Sequence, residues 1–410
     1  MQTKKYLLLT FSIILFAGSL VTSYLLFQNN QKLYHAEKVY AEVNNIGYGL
    51  LNQNNWKTQI STIVEDEVNR AFLNDSVSRV VNRFILTKIS EKLDANIPDF
   101  NLFGFSKEKI VNSFTEGEFV GSLVSGLSEV LGEAAVSIDL PSIISNVLNK
   151  TLGIVDQENG KLQSILDYYN LPDLISLNEL LEQKIDFYAS KEIFFSIITI
   201  ILIVSLSLLS MYGLKKMRYN ISFVFLTLII FVSLVLGVFL PLINLDARIE
   251  QVSVSFLGKN IEFYNQVVFF QSKSIWGVVS VLFGQKNFQM IFVGILILLF
   301  SIIIPTFKLI ASAVVVLTQT DNKFSAFLKN LGKWSMADVF TIALFMAYMG
   351  LNGIIKGNLA QLDGDYDTAI INTANYTHFR VGMLFFVIYT LLSITSSYFF
   401  KNSKTMQDVL

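Results

Sequence analysis

The chain has no cysteine and only two histidines, His35 and His378, among 410 residues. The absence of cysteine excludes disulfide bonds, thiolate zinc sites and cysteine nucleophiles. The two histidines lie far apart in the sequence, so a histidine-rich metal site is not favoured. We expect no cofactor. Charged residues are also scarce, at 15%, and the net charge is −1. The sequence therefore lacks the basic surface that a nucleic-acid-binding protein needs.

Apolar residues, by contrast, are abundant. They make up 52% of the chain, which contains 35 Phe, and the mean hydropathy is +0.52. These values are too apolar for a soluble globular chain and predict an integral membrane protein. A bilayer core of about 30 Å needs about 20 apolar residues in a helix. The stretches long enough to cross it are Tyr6–Phe27, Ile193–Leu214, Ile221–Ile243, Phe288–Leu317, Met336–Ile355 and Val381–Phe400.

The first apolar run has two interpretations. Its basic start is compatible with a signal peptide. Its long core and the absence of an Ala-x-Ala site after it favour an uncleaved anchor instead. Either interpretation leaves the orientation of the remaining spans unchanged.

Basic residues are divided unequally between the two sides of the predicted membrane domain. If the N-terminus is cytoplasmic, the outer loops 244–287 and 356–379 hold fewer basic residues than the shorter inner segments. The basic residues of the inner segments are Lys4, Lys5, Lys215, Lys216, Arg218, Lys323, Lys329, Lys333, Lys401 and Lys404. Because cytoplasmic segments carry the excess of lysine and arginine, both termini are predicted to be cytoplasmic and residues 28–191 to lie outside.

The predicted fold class is an all-α polytopic membrane protein with six transmembrane helices. Its parts are an anchor at 1–27, a mainly helical outer domain at 28–191, a second span with a short loop at 192–220, a four-helix membrane domain at 221–400, and a tail at 401–410. Apolar periodicity predicts helices in the outer domain at 107–136, 141–152, 161–169 and 173–190, the last of which runs into the second span. This domain is interpreted either as a binding domain or as a helical spacer.

The first outer loop of the four-helix domain has a different pattern. Arg248–Leu257 and Ile261–Phe270 are rich in Val, Ile, Phe and Tyr, and Gly258-Lys259-Asn260 separates them. This pattern predicts a β-hairpin. Ile275–Phe283 follows, with Trp276, and is predicted to form a short apolar helix at the outer membrane interface.

The second outer loop contains Asp363-Gly364-Asp365-Tyr366-Asp367. Aspartates at alternate positions are typical of calcium loops, but such a loop also needs Gly at its sixth position and Glu at its twelfth. Those positions hold Thr368 and Ala374 here. The sequence therefore favours a solvated acidic turn over a calcium site.

Two ionisable residues fall in segments of membrane length. Pro305 lies in the middle of a long apolar run, which predicts a kinked or broken helix. Lys308 follows at about 13 Å from the inner end of that helix, and Asp338 lies about 6 Å into the next one. We expect the two charges to share one polar patch that forms a substrate pathway, because buried charge needs a partner or a wet cavity. Further members of the predicted pathway are Pro305, Thr306, Ser312, Ser335 and Thr341.

Simpler roles for these residues remain open. Lys308 can reach the inner headgroups along its aliphatic stem. Ser335-x-x-Asp338 matches an N-terminal capping box, in which the helix dipole favours the aspartate. Trp334 is placed where an interfacial anchor is expected.

Four short motifs carry a resemblance to a known family. They are Leu240-Pro241-Leu242, Pro305-Thr306-Phe307-Lys308-Leu309, Trp334-Ser335-Met336-Ala337-Asp338-Val339-Phe340 and Ala347-Tyr348-Met349-Gly350-Leu351. Together they resemble the paraquat-inducible protein A family over residues 221–400, with Pro241, Trp334 and Met336 as motif residues. The resemblance implies four transmembrane helices and a β-rich outer loop. The chain departs from the family in three ways. It has one such domain, it lacks cysteine zinc ribbons, and it has Gly350 where lysine is common in the family.

The resemblance also implies a function. Members of the paraquat-inducible protein A family move lipid between the inner and outer membranes of diderm bacteria, together with mammalian-cell-entry (MCE) domain proteins. The expected partners are therefore membrane lipids and an MCE-domain protein, and the expected location is the bacterial inner membrane. The alternative is a membrane sensor with the outer domain as its input. An enzyme ranks last, because the sequence offers no nucleophile–base pair or metal cluster.

Overall fold

The computed structural model describes residues 2–50, 55, 59, 63, 101–102, 105–106, 159–216, 219–256, 259–285, 287–318, 337–366 and 369–407. Its helices are α1 (Gln2–Val43), α2 (Asn159–Tyr169), α3 (Leu174–Lys216), α4 (Tyr219–Phe239), α5 (Ile275–Gly284), α6 (Phe288–Leu298), α7 (Ile304–Thr318), α8 (Ala337–Leu362) and α9 (Val381–Gln407). A π-helical turn, Leu299–Ile303, joins α6 to α7. The strands are β1 (Asn101–Leu102), β2 (Phe105–Ser106), β3 (Ile243–Phe256), β4 (Lys259–Lys273), β5 (Gly364–Tyr366), β6 (Ala369–Asn375) and β7 (His378–Phe379).

Within the described residues, five helical segments are long and apolar enough to cross a membrane. They are Leu9–Val43, Leu174–Leu214, Asn220–Phe239, Phe288–Thr318 and Val339–Ala360. The sixth predicted span falls in α9, whose apolar part, Val381–Ser397, is shorter than the other five. The chain is thus a mainly helical, multi-pass membrane protein, and the sixth span stays a prediction.

Helices α1 and α3 are far longer than a membrane requires. They contain 42 and 43 residues, or about 63 and 65 Å at 1.5 Å per residue, about twice the hydrocarbon thickness. Hydrogen bonds join Asn29 of α1 to the Tyr188 carbonyl of α3, and Asn44 of α1 to Asn178 of α3, so the two helices are antiparallel. We call this pair the stalk.

The stalk bears on the predicted outer domain. Its expected limits, residues 28 and 191, fall inside α1 and α3, so both ends of that domain are continuous with the helices of the spans. The prediction that a helix at 173–190 runs into the second span is confirmed. Helix α2 corresponds to the helix predicted at 161–169 and packs on the stalk through Leu166. The helices predicted at 107–136 and 141–152 lie outside the described residues.

Helix α4 is the centre of the membrane bundle. It packs against α3, α7 and α9, and Phe223, Leu226 and Ile230 are fully buried in the shared core. Gly237 lets α4 approach α9 closely, because a Cβ atom there would lie 2.8 Å from the backbone of Phe386.

Strands from both loops at one end of the bundle build a single sheet, and we call this end the sheet end. The strand order is β4-β3-β6-β5, and β7 pairs with the start of β3. The two segments predicted to form a hairpin fall in β3 and β4, which pair antiparallel; residues 257 and 258 between them lie outside the described residues. The acidic segment predicted to be a solvated turn contributes strand β5, which pairs antiparallel with β6 and aligns Asp365 with Ile370.

The short helix predicted at Ile275–Phe283 is confirmed as α5. It begins where β4 ends. Ser274 is its N-cap, and the Ser274 side chain accepts a 3.0 Å hydrogen bond from the Gly277 N–H. The cap satisfies one of the unpaired donors at the start of the helix and fixes the direction in which α5 leaves the sheet.

Replacing Gly237 with alanine tests the close crossing of α4 and α9. We expect Gly237→Ala to lower the stability of the purified protein by about 1–3 kcal/mol, because the new methyl group must displace backbone. Gly350→Ala on α8 is the matched control, since a Cβ there has no neighbour within 4 Å. Thermal unfolding in detergent measures both. Equal melting temperatures for the two variants would contradict the crossing.

Candidate functional site

The helix that contains Pro305 is irregular, as the sequence predicts. Proline has no N–H, so the carbonyl one turn earlier, that of Ser301, loses its usual donor. The structure places Ser301 in the π-helical turn that immediately precedes α7. Its Oγ atom is buried and has no hydrogen-bond partner among the described residues. π-Helical turns within α-helices often mark functional sites.

The other predicted pathway residues of α7 and α8 are distributed around this turn. Thr306 and Lys308 are half-buried, while Pro305 and Ser312 are buried. Ser312 donates to the carbonyl of Leu309 in its own helix at 2.9 Å, so its hydroxyl is already used.

Thr341 is buried between α8 and α9. Its Oγ1 lies 3.2 Å from that of Thr390, and the Thr390 hydroxyl itself donates to the Phe386 carbonyl at 3.0 Å. The contact between Thr341 and Thr390 ties the two helices together. This is a structural role that is compatible with a place beside a pathway.

The remaining predicted residues give less information. The carbonyl of Pro241 accepts a 3.0 Å hydrogen bond from the Gly382 N–H, which joins the end of α4 to the start of α9. Asp338 lies in the first turn of α8, but its side chain is not described, and Trp334, Ser335 and Met336 lie outside the described residues. The Lys308–Asp338 patch stays a prediction.

A buried charge cluster, which sequence reasoning missed, joins the stalk to the bundle. Arg380 precedes α9 and is only 7% exposed. Its Nη1 lies 2.6 Å from Glu37 Oε1 on α1, and its Nη2 lies 3.5 Å from Glu192 Oε2 on α3. The other Glu192 oxygen accepts a hydrogen bond from Asn30. The cluster therefore connects three helices that are distant in sequence.

This cluster holds two carboxylates and one guanidinium, away from water. Burial of charge is costly, and removing Arg380 would leave two acidic groups without the guanidinium that they share. Glu37 Oε2 and Arg380 Nε have no hydrogen-bond partner among the described residues, so the cluster is incompletely satisfied. The sequence signal that could have found it is the pair of acidic residues in helices that continue from apolar spans.

A second charged cluster joins the stalk to the sheet. Asp246 accepts two hydrogen bonds from Arg248, at 2.8 and 2.7 Å. The guanidinium lies over the rings of Tyr40 on α1 and Tyr376, 5.0 and 5.2 Å from their centroids. Burial acts to lower the pKa of Arg248, but the hydrogen bonds and charge of Asp246 outweigh burial and raise it. Arg248 therefore stays charged, and its cation–π contacts persist.

The chain after α1 also adds to the free edge of β4. The Val267 N–H donates to the Asn44 carbonyl at 2.7 Å, and the Ile46 N–H donates to the Val267 carbonyl at 3.1 Å. Gly49 is needed beside them, because a Cβ atom there would overlap the side-chain amide of Gln266. The edge of β4 is thus covered at Val267 by the protein's own chain, which leaves less of the edge open to pairing with another molecule.

Arg380→Met tests the cluster. We expect a loss of about 3–5 kcal/mol, because two buried carboxylates would lose the guanidinium that lies between them. Glu37→Gln removes the excess negative charge and should cost much less. Lys356→Ala, at an exposed lysine of α8, is the control for loss of a positive charge. Thermal unfolding and protease sensitivity of the purified protein report the effect, and a larger loss for Glu37→Gln than for Arg380→Met would contradict the argument.

Comparison with known proteins gives one match. Residues 260–359 match the family model for paraquat-inducible protein A. The match confirms the resemblance predicted from the sequence motifs. It includes Pro305, Lys308 and Asp338, and is narrower than the predicted 221–400. No curated protein and no solved structure matches the chain significantly. The chain is a multi-pass membrane protein in which residues 260–359 resemble paraquat-inducible protein A.

Proposed function

We propose that the protein is an inner-membrane subunit of a system that moves phospholipid between the inner and outer membranes of a diderm bacterium. It acts with an MCE-domain protein and supports the integrity of the envelope. The observation that carries the proposal is the family match over the segment that contains the π-helical turn, Pro305 and Lys308. In the proposed topology the sheet end faces the periplasm and both termini are cytoplasmic.

Lys308 is the central residue of the proposed pathway. It lies ten residues before the end of α7 at Thr318, or about 15 Å along the helix. Ionisable residues inside a membrane span commonly mark a substrate pathway. A phospholipid headgroup carries a phosphate, which lysine binds as a point charge. The neighbouring side chains of Phe307 and Ile310 are exposed and apolar, so they suit the acyl chains of the same lipid.

The stalk supplies a route by which the outer segment can act on this pathway. Residues between α1 and α2 connect to the stalk, and the stalk connects to α9 through Arg380 and to the sheet through Arg248. Helix α9 in turn contacts α8, because Thr390 of α9 is hydrogen-bonded to Thr341 of α8. We propose that a lipid-carrying partner docks on residues 28–191 and biases the bundle through these contacts.

The topology can be checked by cysteine labelling, because the chain has no cysteine of its own. We expect Ser125→Cys to react with a membrane-impermeant maleimide in spheroplasts, since the basic-residue bias places it outside. Ser325→Cys should react only after the membrane is permeabilised. Equal reaction of both variants in intact spheroplasts would contradict the orientation.

Lys308→Ala tests the pathway. We expect at least a tenfold loss of phospholipid exchange between membranes, together with increased sensitivity of cells to detergent, because the headgroup loses its counter-charge. Lys356→Ala is the matched control, since that lysine is exposed near the sheet end of α8. Both variants should still co-purify with the MCE-domain partner at the wild-type level.

The second candidate function is a membrane sensor with the outer segment as its input. The observation in its favour is the continuous stalk, which links that segment to both predicted sides of the membrane. If Lys308→Ala exchanges lipid normally while deletion of residues 64–158 abolishes the phenotype, the sensor is favoured and the transporter is contradicted.

A further inference from the structure

The α5–α6 hairpin is an apolar element that the proposed pathway has not yet used. Three residues, 285–287, join its two helices. The helices pack closely, since a Cβ atom at Gly294 on α6 would lie 2.9 Å from the ring of Phe283 on α5. Its base is fixed to the bundle: Ile275 is buried in the core, and the Trp276 ring lies 5.7 Å from that of Phe239 at the end of α4.

Helix lengths indicate that this hairpin projects past the end of α4. The helical segment Phe288–Thr318 has 31 residues, about 46 Å at the α-helical rise, whereas the 21 residues of α4 measure about 31 Å. The excess of about 15 Å equals the length of α5, which has 10 residues. Residues 299–318 alone are therefore long enough to cross the hydrocarbon core, and α5 and α6 extend from the sheet end of the bundle.

The projecting hairpin exposes large apolar side chains. Phe288, at its tip, is 80% exposed, and Phe292, one turn further, is 50% exposed. The other exposed apolar residues of the hairpin are Trp276, Val278, Val281, Phe283, Met290, Val293, Ile295 and Leu296. An apolar surface of this extent outside the hydrocarbon core needs an apolar occupant.

The same apolar surface continues without a break into the membrane. Below the hairpin, α7 exposes Phe307, Ile310, Val314 and Leu317. On a multi-pass membrane protein these residues face lipid tails. A protein-binding surface would carry a polar rim and interfacial arginine or tyrosine. The exposed residues of α6 are aliphatic, aromatic or Met, apart from Gln289 near the tip, which favours lipid as the occupant.

We propose that the α5–α6 hairpin binds the acyl chains of a membrane lipid that has risen out of the outer leaflet, and so continues the lipid path beyond the membrane surface. This inference rests on the proposed function. The acyl chains of the lipid remain in contact with apolar side chains from α7 to the tip of the hairpin at Phe288. These contacts reduce the exposure of the acyl chains to water over the whole path.

The test uses a photoreactive benzoylphenylalanine placed at single positions of the full-length protein in native membrane vesicles. Phe292 is the test position. Ile310, on the lipid-facing side of α7, is the positive control, and Tyr264, exposed on β4, is the negative control. We expect phospholipid adducts at Phe292 and Ile310 and none at Tyr264. An adduct to a second copy of the chain or to another protein at Phe292, or no adduct there, overturns the proposal.

A second measurement separates a projecting hairpin from one immersed in the bilayer. Phe292→Cys should react with a membrane-impermeant maleimide, and Ile310→Cys should not. Lipid adducts at Phe292 without maleimide reaction would place the hairpin inside the membrane and overturn the proposal. Neither measurement requires lipid exchange between membranes. Normal lipid exchange by Lys308→Ala would contradict the proposed function. That outcome is distinguishable from a failure of the hairpin to bind lipid.

Discussion

The buried pairing of Arg380 with Glu37 and Glu192 is the interaction on which the placement of the stalk depends. It is the point where α1, α3 and the start of α9 meet away from water. The Arg380 N–H also donates to the Leu242 carbonyl at 2.9 Å, so the same residue fixes the start of the sheet. The N-terminus of α9 adds a partial positive charge nearby, which offsets part of the excess negative charge of the two glutamates.

Features set by local sequence were predictable. Apolar runs predicted the long helices, the apolar stretch Ile275–Phe283 predicted α5, and Pro305 predicted an irregular helix. The π-helical form of that irregularity was not predictable, because proline removes a donor without specifying how the backbone responds. The length of α1 was missed, because the continuation of a span beyond the membrane resembles the first helix of a separate domain in sequence.

Features that depend on distant pairing were not predictable. Glu37 and Arg380 are 343 positions apart, and helical periodicity gives no information on which distant charges meet. The sheet shows the same limit. The alternating pattern of β3 and β4 was visible, but the pairing of β3 with β6 requires strands from two separate loops. For the candidate site, the position of Lys308 in its apolar run predicts its depth in the helix, but depth alone does not establish which polar group its side chain contacts.

The antiparallel stalk has a consequence for how this protein can change over evolution. Asn44 and Asn178 exchange amide hydrogen bonds of 2.7 and 2.9 Å, so the chain returns to the place it left. The stalk therefore holds together the two ends of the segment between these residues. Lengthening a segment between two fixed ends costs little, about 0.6 kcal/mol for each doubling of its length. Insertions and deletions there can accumulate while the membrane bundle keeps its geometry, which makes this segment the natural place for divergence between lineages.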